Sequence, residues 1–253
     1  IEKILQTNKV KLITISHASN VTGLIQPVEQ LIRLAQSYNV LVCVDGAQMV
    51  GHKKVSMQQL NADFYVFSGH KMFAMKGIGV LYINEKHHQS LSYKRFGGGM
   101  VEGVTRDKIL YKSAPLGFEP GTPAVEAIYS LAAACHCMLS TGYEAFEIHQ
   151  QSWNAVFDQH LQNSNFQLVF PDNTNRLPIH TIRHKDKQIS YSNLARSLSD
   201  AFNVMINDGQ QCCGPLYEAF DQKDALRISA QIYNDLNECD MFFDALEQIS
   251  QFM

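Results

Sequence analysis

The sequence predicts an α/β fold, with a large domain built on a mostly parallel sheet and a smaller α+β domain after it. Apolar strand segments alternate with helical segments over the first part of the chain, as in α/β proteins. Near residue 140 this order gives way to an amphipathic helix and short alternating strands. The 253 residues, 45% of them hydrophobic, are enough for two cores. We therefore predict a large domain over residues 1–140 and a small domain over residues 141–253.

The large domain is predicted to alternate strands with helices. A continuous apolar strand flanked by helices, such as residues 40–44, is typical of a parallel sheet covered on both faces. Pro27 is a good first residue for a helix, and Gly142 closes the last helix. In chain order we predict a strand at 11–16, a helix opened by Pro27, a strand at 40–44, a short helix at 56–60, strands at 63–67 and 77–82, and a helix at 123–139.

The small domain is predicted to begin with a helix that contains Trp153. Short segments of alternating apolar and polar residues then follow, interleaved with helices. These segments predict strands at residues 166–170, 179–182, 204–206 and 226–230.

Composition and charge exclude several classes of partner. The formal charge of −3 and the isoelectric point near 6.4 give no reason to expect nucleic acid or an anionic membrane. No apolar run approaches the roughly 18 residues of a membrane span, and no secretory signal opens the sequence. The six cysteines have no framework spacing, which predicts reduced thiols and a cytoplasmic protein. Cys135 and Cys137 fall on different faces of their predicted helix, so we predict no metal site.

Polar residues follow three of the predicted strands of the large domain. Parallel strands bring their carboxyl ends to one edge of the sheet, where α/β proteins bind ligands. We therefore expect these side chains to share one crevice. They are Asn20, Asp45, Gln48, Ser68, His70 and Lys71.

A lysine and an aspartate at neighbouring strand ends fit one cofactor, pyridoxal phosphate. This cofactor binds covalently to a lysine and needs an acidic partner for its ring nitrogen. Lys71 and Asp45 are the candidates, Gln48 could donate to the ring oxygen, and Ser68 and His70 could bind the phosphate. The alternative is structural, with Lys71 extending along apolar surface to water and Asp45 capping the next helix.

Several motifs together resemble the cysteine desulfurases, in the subgroup of SufS-type and CsdA-type enzymes within the class V aminotransferase family. The resemblance runs along essentially the whole chain. It implies the type I fold of pyridoxal-phosphate enzymes, a homodimer, and release of sulfur from cysteine as an enzyme-bound persulfide plus alanine. The motifs are SHASNVTG (16–23), VDGAQ (44–48), DFYVFSGHK (63–71), GIGVLY (77–82), GTP (121–123) and LRISAQIYN (226–234).

The resemblance implies a role for each residue of the predicted crevice. It makes Lys71 the lysine that binds pyridoxal phosphate and Asp45 the partner of the ring nitrogen. Gln48 would contact the ring oxygen, and Asn20 would lie near the cofactor and the substrate.

Phosphate binding is implied for three further residues. Ser68 and His70 would hold the phosphate of their own subunit, and Thr122 would reach the phosphate of the neighbouring subunit. Thr122 also stands where it could cap the helix that follows Pro123, and both roles are compatible.

Two residues of the small domain match the positions that handle the substrate. Arg227 corresponds to the arginine that binds the substrate carboxylate, a task suited to a planar guanidinium. In the loop DGQQCCGPL (208–216), the spacing to Pro215 selects Cys212 over Cys213 as the nucleophile. A sulfur-acceptor protein would be a further partner.

The chain departs from the family pattern at three places. It begins at Ile1 and runs at once into a strand, so we expect the N-terminal third of the family to be missing. Asn207 stands where the family usually has arginine, and Gln211 where it has histidine. The usual Gly-Pro after the lysine is replaced within residues 72–76.

These departures keep two alternatives open. One is a selenocysteine or cysteine-sulfinate lyase of the same family. The other is a truncated or degenerate homologue that acts as a non-catalytic binding protein.

Overall fold

A computed structural model describes residues 1–170, 175–186 and 188–251, and the chain divides into two compact units. Unit 1 comprises Ile1–His17 and Pro27–Thr141, and unit 2 comprises Ala18–Gln26 and Gly142–Met253. The step from Thr141 to Gly142 adjoins the predicted domain boundary. Nothing in the sequence indicated that the segment Ala18–Gln26, between the first strand and the first long helix, would group with unit 2.

Unit 1 contains four α-helices and six strands among its described residues. Its helices are α1 (Glu2–Thr7), α2 (Val28–Ser37), α3 (Met57–Leu60) and α4 (Val125–Thr141). Its strands are β1 (Leu12–Ser16), β2 (Leu41–Asp45), β3 (Phe64–Ser68), β4 (Gly79–Ile83), β5 (Val101–Val104) and β6 (Ile109–Tyr111). The β5–β6 pair is a hairpin that the sequence did not predict.

The main sheet of unit 1 has the strand order β1-β2-β3-β4. The first two pairings are parallel, and β4 joins as an antiparallel edge. The predicted α/β fold with a mostly parallel sheet is therefore confirmed. Helix α2 contacts β2 and buries residues at spacings of three and four, as an amphipathic helix does. They are Val28, Leu31, Ile32 and Ala35.

The two faces of this sheet differ in exposure. Ser16, Asp45, Val66 and Leu81 are aligned across the four strands and therefore point to the same face. Leu81 is 56% exposed, and Ser16 and Asp45 are exposed as well. On the opposite face of β2, Val42 and Val44 are fully buried. The expectation that both faces are covered is wrong for the described residues, because they bury one face and leave Leu81 and Asp45 open on the other.

Unit 2 is an antiparallel sheet with helices. Its helices are α5 (Tyr143–Asn163), α6 (Tyr191–Phe202), α7 (Gly214–Ala219) and α8 (Leu236–Ser250). Its strands are β7 (Phe166–Leu168), β8 (Ile179–His184), β9 (Asn207–Gly209) and β10 (Ala225–Ser229), in the order β7-β8-β10-β9.

The core of unit 2 is centred on aromatic rings. The Phe157 ring stacks on His180 with 3.8 Å between centroids and meets Phe243 edge-on at 5.0 Å. His180 is 0% exposed, and neither of its ring nitrogens has a hydrogen-bond partner among the described residues. Burial, helped by the charge of Arg176, holds the pKa of His180 well below its usual value. His180 is therefore a neutral core residue.

Strand β9 lies three residues later than the predicted strand at 204–206. The side chains of Val204 and Ile206 pack against the core of unit 2, which explains their apolar pattern. The sheet pairing is made by the next residues, with Asn207 opposite Arg227 and Gly209 opposite Ala225. The shift matters for function because it places Asn207 beside Arg227.

Among the described residues, no helix combines the length and the apolar character needed to span a bilayer.

Candidate active site

In unit 1, the carboxyl ends of three strands lie side by side. The N–H of His17, just after β1, donates to the Asp45 carbonyl at 2.7 Å. The N–H of Gly46, just after β2, donates to the Val66 carbonyl of β3 at 2.8 Å. These bonds continue the parallel pairing one residue past the strands, so the side chains that follow β2 and β3 emerge at one edge.

Asp45 is held by the turn that it begins. Its Oδ1 accepts the Ala47 N–H at 2.9 Å, and the carboxylate remains exposed. A Cβ on Gly46 would lie 2.0 Å from the Tyr65 hydroxyl, so this turn requires glycine. Burial, and then the negative charge of Asp45, raises the pKa of Tyr65, whose hydroxyl lies 3.0 Å from Nδ1 of His17. Asp45 is thus an exposed carboxyl group at the carboxyl end of β2.

Lys71 lies in a 3₁₀ turn, Gly69–Met72, directly after β3. Its side chain is exposed, and its carbonyl oxygen would lie 2.2 Å from a Cβ on Gly51. The main chain of Lys71 therefore packs against the segment that begins at Asp45. The Met75 N–H donates to Ser130 Oγ of α4 at 2.9 Å, which fixes the substituted segment after the lysine.

The other predicted residues of unit 1 fall in two places. Ser68 ends β3 opposite Gly79, His70 is exposed beside Lys71, and Gln48 is half-buried in the turn after β2. Thr122 is exposed on a different loop, which is held by a hydrogen bond of 2.6 Å from the Gly121 N–H to the Gly98 carbonyl.

The donor set at this edge fits pyridoxal phosphate. An amine, a carboxylate, an amide, a hydroxyl and an imidazole follow two adjacent strands, which are the groups this cofactor needs. Among the described residues, no group of three or more His, Cys, Asp or Glu side chains could hold a metal ion.

In unit 2, residues far apart in the chain meet around Asn20. Arg227 Nη1 donates to the Asn20 carbonyl at 3.1 Å, and Asn20 Nδ2 donates to the Gln211 carbonyl at 3.1 Å. Asn20 thus joins the strand that carries Arg227 to the loop that carries Cys212. The sequence grouped Asn20 with the strand ends of the large domain, whereas the structure places it in unit 2.

Arg227 is half-buried and retains unused donor capacity. Its Nε has no hydrogen-bond partner among the described residues, and burial lowers its pKa against the opposing effect of Tyr217. It lines a cavity of about 480 Å³ together with Trp153 and Asn207. A guanidinium in this setting can bind an anionic group such as a carboxylate.

The loop before α7 presents Cys212 to solvent. Gln211 and Cys212 have φ angles of 47° and 59°, a left-handed conformation that costs about 1–2 kcal/mol per non-glycine residue. Such a conformation persists only where the surroundings impose it. The next residue, Cys213, is half-buried and precedes the first turn of α7, which contains Pro215.

Tyr217 is a residue of this site that the sequence did not indicate. It is 0% exposed on α7, and its hydroxyl donates to Gln211 Oε1 at 2.7 Å. No sequence signal marks it, because a tyrosine in a short amphipathic helix reads as an ordinary core residue.

Comparison with known proteins gives the family to which this α/β chain belongs. The chain matches the aminotransferase class-V family over residues 1–242 and belongs to it. It is 32% identical over 240 residues to a probable cysteine desulfurase of Pseudomonas putida, covering 95% of this chain and 59% of that protein. The family resemblance drawn from the motifs is thereby confirmed.

Two solved structures of cysteine desulfurases are also similar to this chain. The apo cysteine desulfurase of Thermococcus onnurineus matches all of this chain with a TM-score of 0.92 and 28% identity, over 62% of its own length. The cysteine desulfurase CsdA of Escherichia coli matches all of it with a TM-score of 0.88 and 27% identity, over 63% of its length. The chain therefore spans 59% to 63% of the length of these three proteins.

Proposed function

We propose that this chain carries a pyridoxal-phosphate-dependent cysteine desulfurase activity, which converts L-cysteine to L-alanine and leaves the sulfur as a persulfide on the enzyme. Relatives named cysteine desulfurase in sequence and in structure support the proposal. The observation that carries it is the exposed Cys212 on its loop. Asn20 is hydrogen-bonded both to this loop and to Arg227.

Pyridoxal phosphate would be held by residues of unit 1. When bound, it supplies a sink for the electrons released at the substrate Cα. The Lys71 amine would attach it, the Asp45 carboxylate would face its ring nitrogen, and Gln48 its ring oxygen. Ser68 and His70 would bind its phosphate.

Substrate handling is assigned to Arg227 and Lys71. Arg227 would bind the carboxylate of cysteine with two parallel hydrogen bonds, near Asn20. The Lys71 amine, released from the cofactor, would remove the Cα proton as a general base.

Sulfur transfer is assigned to Cys212. Its thiolate would attack the substrate sulfur, forming an S–S bond as the C–S bond breaks and its electron pair stays with carbon. That carbon, Cβ, would then take up a proton, Cα would regain the proton that Lys71 removed, and the product would leave as alanine. Only a thiolate is nucleophilic, so Cys212 would act in its deprotonated form.

Mass spectrometry of the protein loaded with pyridoxal phosphate and given L-cysteine tests this proposal. We expect a persulfide on Cys212, lost in Cys212→Ser and retained in Cys213→Ser. A persulfide on Cys213 would reject the assigned nucleophile. A loaded protein with a persulfide on neither residue would reject the activity and favour the non-catalytic alternative.

Asn207 favours a second candidate substrate. It replaces the usual arginine of the family and lines the same cavity as Arg227. Selenocysteine and cysteine sulfinate share the carbon skeleton of cysteine but differ in the leaving group. Release of selenide or sulfite at a higher kcat/KM than that for cysteine would assign the chain to that lyase activity instead.

A homodimer is the assembly we propose, with Thr122 reaching the phosphate site of the neighbouring subunit. Helix α4, which follows Thr122, exposes apolar side chains at Val125, Ile128, Tyr129 and Leu139. Several exposed apolar side chains on one helix are typical of an interface. Sedimentation should give a dimer, and a monomer with full cofactor occupancy would contradict the shared site.

A sulfur-acceptor protein and a cytoplasmic location complete the proposal. All six cysteines are free thiols, which favours a reducing compartment.

A further inference from the structure

We propose that Tyr217 is a positioning residue for Cys212 and acts through Gln211. The inference rests on the proposed role of Cys212 as the nucleophile. It explains how a loop with glutamine at position 211 can hold the thiol in one orientation.

The position of the Tyr217 ring is set by packing contacts with residues outside the loop 208–213. Its ring is fully buried, packs edge-on against Phe170 at 5.4 Å, and shares a small core with Val21 and Ala225. Helix α7 therefore sets the position of the hydroxyl, while the loop 208–213 lies next to it.

The Tyr217 hydroxyl remains a hydrogen-bond donor at all physiological pH values. Burial raises its pKa to about 12, against the lowering effects of a hydrogen bond with Thr181 and of the charge of Arg227. A neutral phenol can donate its proton to an amide oxygen, and the Gln211 Oε1 lies 2.7 Å away.

Gln211 is held at both ends by this arrangement. Its side-chain Nε2 donates to the Asp208 carbonyl at 3.0 Å, and its own carbonyl accepts from Asn20 at 3.1 Å. The hydrogen bond from the Tyr217 hydroxyl orients the side-chain amide of Gln211 toward the protein interior. With Gln211 fixed in the left-handed region, the adjoining Cys212 is directed outward with φ 59°.

Hydrogen exchange of the Cys213 amide tests the proposal without the cofactor. This N–H donates to the Gln210 carbonyl at 2.9 Å, so its exchange reports opening of the loop. Tyr217→Phe removes one oxygen and should raise the Cys213 exchange rate about five- to tenfold, the ratio expected for one lost hydrogen bond. Gln211→Met, which keeps the length but not the amide, should do the same.

The double variant separates a positioning role from a packing role. If Tyr217 acts through Gln211, Tyr217→Phe should add nothing once Gln211→Met is present. Additive effects, or an unchanged Cys213 exchange rate in either single variant, would overturn the proposal. If Tyr217→Phe fails to fold, an unchanged Cys213 exchange rate in Gln211→Met still overturns the proposal.

Tyr191→Phe provides a matched control. This buried tyrosine of unit 2 accepts the His184 N–H at 3.0 Å and, among the described residues, has no hydrogen bond to the loop 208–213, so the substitution should leave Cys213 exchange unchanged. In the loaded enzyme, Tyr217→Phe should lower kcat for persulfide formation while KM for cysteine stays near wild type. Absence of persulfide in the wild type would reject the proposed function, whereas the exchange result would still decide the role of Tyr217.

Discussion

The sheets of unit 1 and unit 2 bury their side chains to different extents. On the open face of the unit 1 sheet, Leu12 is 47% and Leu81 56% exposed. In the unit 2 sheet, Leu226 and Ile182 are 0% exposed, packed between α5, α6 and α8. The described residues thus complete the core of unit 2 and leave one side of the unit 1 sheet open.

The two units also position their candidate site residues by different means. In unit 1, Asp45 and Lys71 follow the ends of adjacent strands, so the sheet itself sets their spacing. In unit 2, Cys212 stands on a loop in an unfavourable backbone conformation, held by Asn20 and Tyr217. The positions of Asp45 and Lys71 should therefore change little when neighbouring residues are substituted. The position of Cys212 should change when a single hydrogen bond of its loop is lost.

The largest effect is expected for Lys71→Ala. If the strand ends of unit 1 form the cofactor site, Lys71 is the amine to which added pyridoxal phosphate attaches. Borohydride reduction makes this attachment permanent. The Lys71→Ala protein, which lacks the amine, should therefore carry no attached cofactor after reduction. Absorbance and mass of the reduced protein measure it. Lys76→Ala is the control, since Lys76 is exposed five residues further on and should retain wild-type attachment. Full attachment in Lys71→Ala would mean that another lysine is the anchor.

A smaller but still large difference is expected between two strand leucines, Leu226 on the interior strand β10 and Leu81 on the edge strand β4. Leu226→Ala should cost about 2–5 kcal/mol of unfolding free energy, because it leaves a cavity in a closed core. Leu81→Ala should cost less than about 0.5 kcal/mol, because its side chain is mostly in water already. Urea unfolding followed by circular dichroism, and by fluorescence of Trp153, the single tryptophan, measures both.

A cost for Leu81→Ala as large as that for Leu226→Ala would show that the open face is covered in solution. The comparison between the two sheets would then fail.

The local pattern of apolar and polar residues was enough to predict most helices and strands of unit 1 and the candidate site residues that follow its strands. Periodicity located β1 to β4 and the start of α2 to within a residue or two, but not β5 and β6, and the residues that follow β2 and β3 came from the same pattern. Short-range rules work here because the side chains that define a strand or an amphipathic helix are neighbours in sequence.

Contacts between distant residues explain what the sequence did not reveal. Asn20 lies with unit 2 because it bonds to Gln211, which is 191 residues away. Strand β9 begins at Asn207 because residues 207–209, and not the more apolar residues before them, pair with β10. Tyr217 became part of the site only when its hydroxyl was seen to meet Gln211.

The smallest effect concerns two of the buried histidines, His17 in unit 1 and His180 in unit 2. Burial lowers the pKa of His17 in unit 1 to about 4, and that of His180 in unit 2 lies well below its usual 6.5. Each ring is therefore neutral when folded and takes up a proton on unfolding below pH 6.5. Stability is greatest above that pH and falls as the pH drops toward 4, by about 1 kcal/mol for each histidine at pH 5.5.

His180→Leu sharpens this prediction, because it keeps an apolar side chain of similar size beside Phe157 and removes the titrating group. The loss of unfolding free energy between pH 7.5 and 5.5, reported by Trp153 fluorescence in urea, should shrink by about 1 kcal/mol relative to wild type. His136→Leu, at an exposed position on α4, should leave that loss unchanged. An equal pH dependence in His180→Leu and wild type would mean that the ring is already charged, or reaches water, in the folded protein.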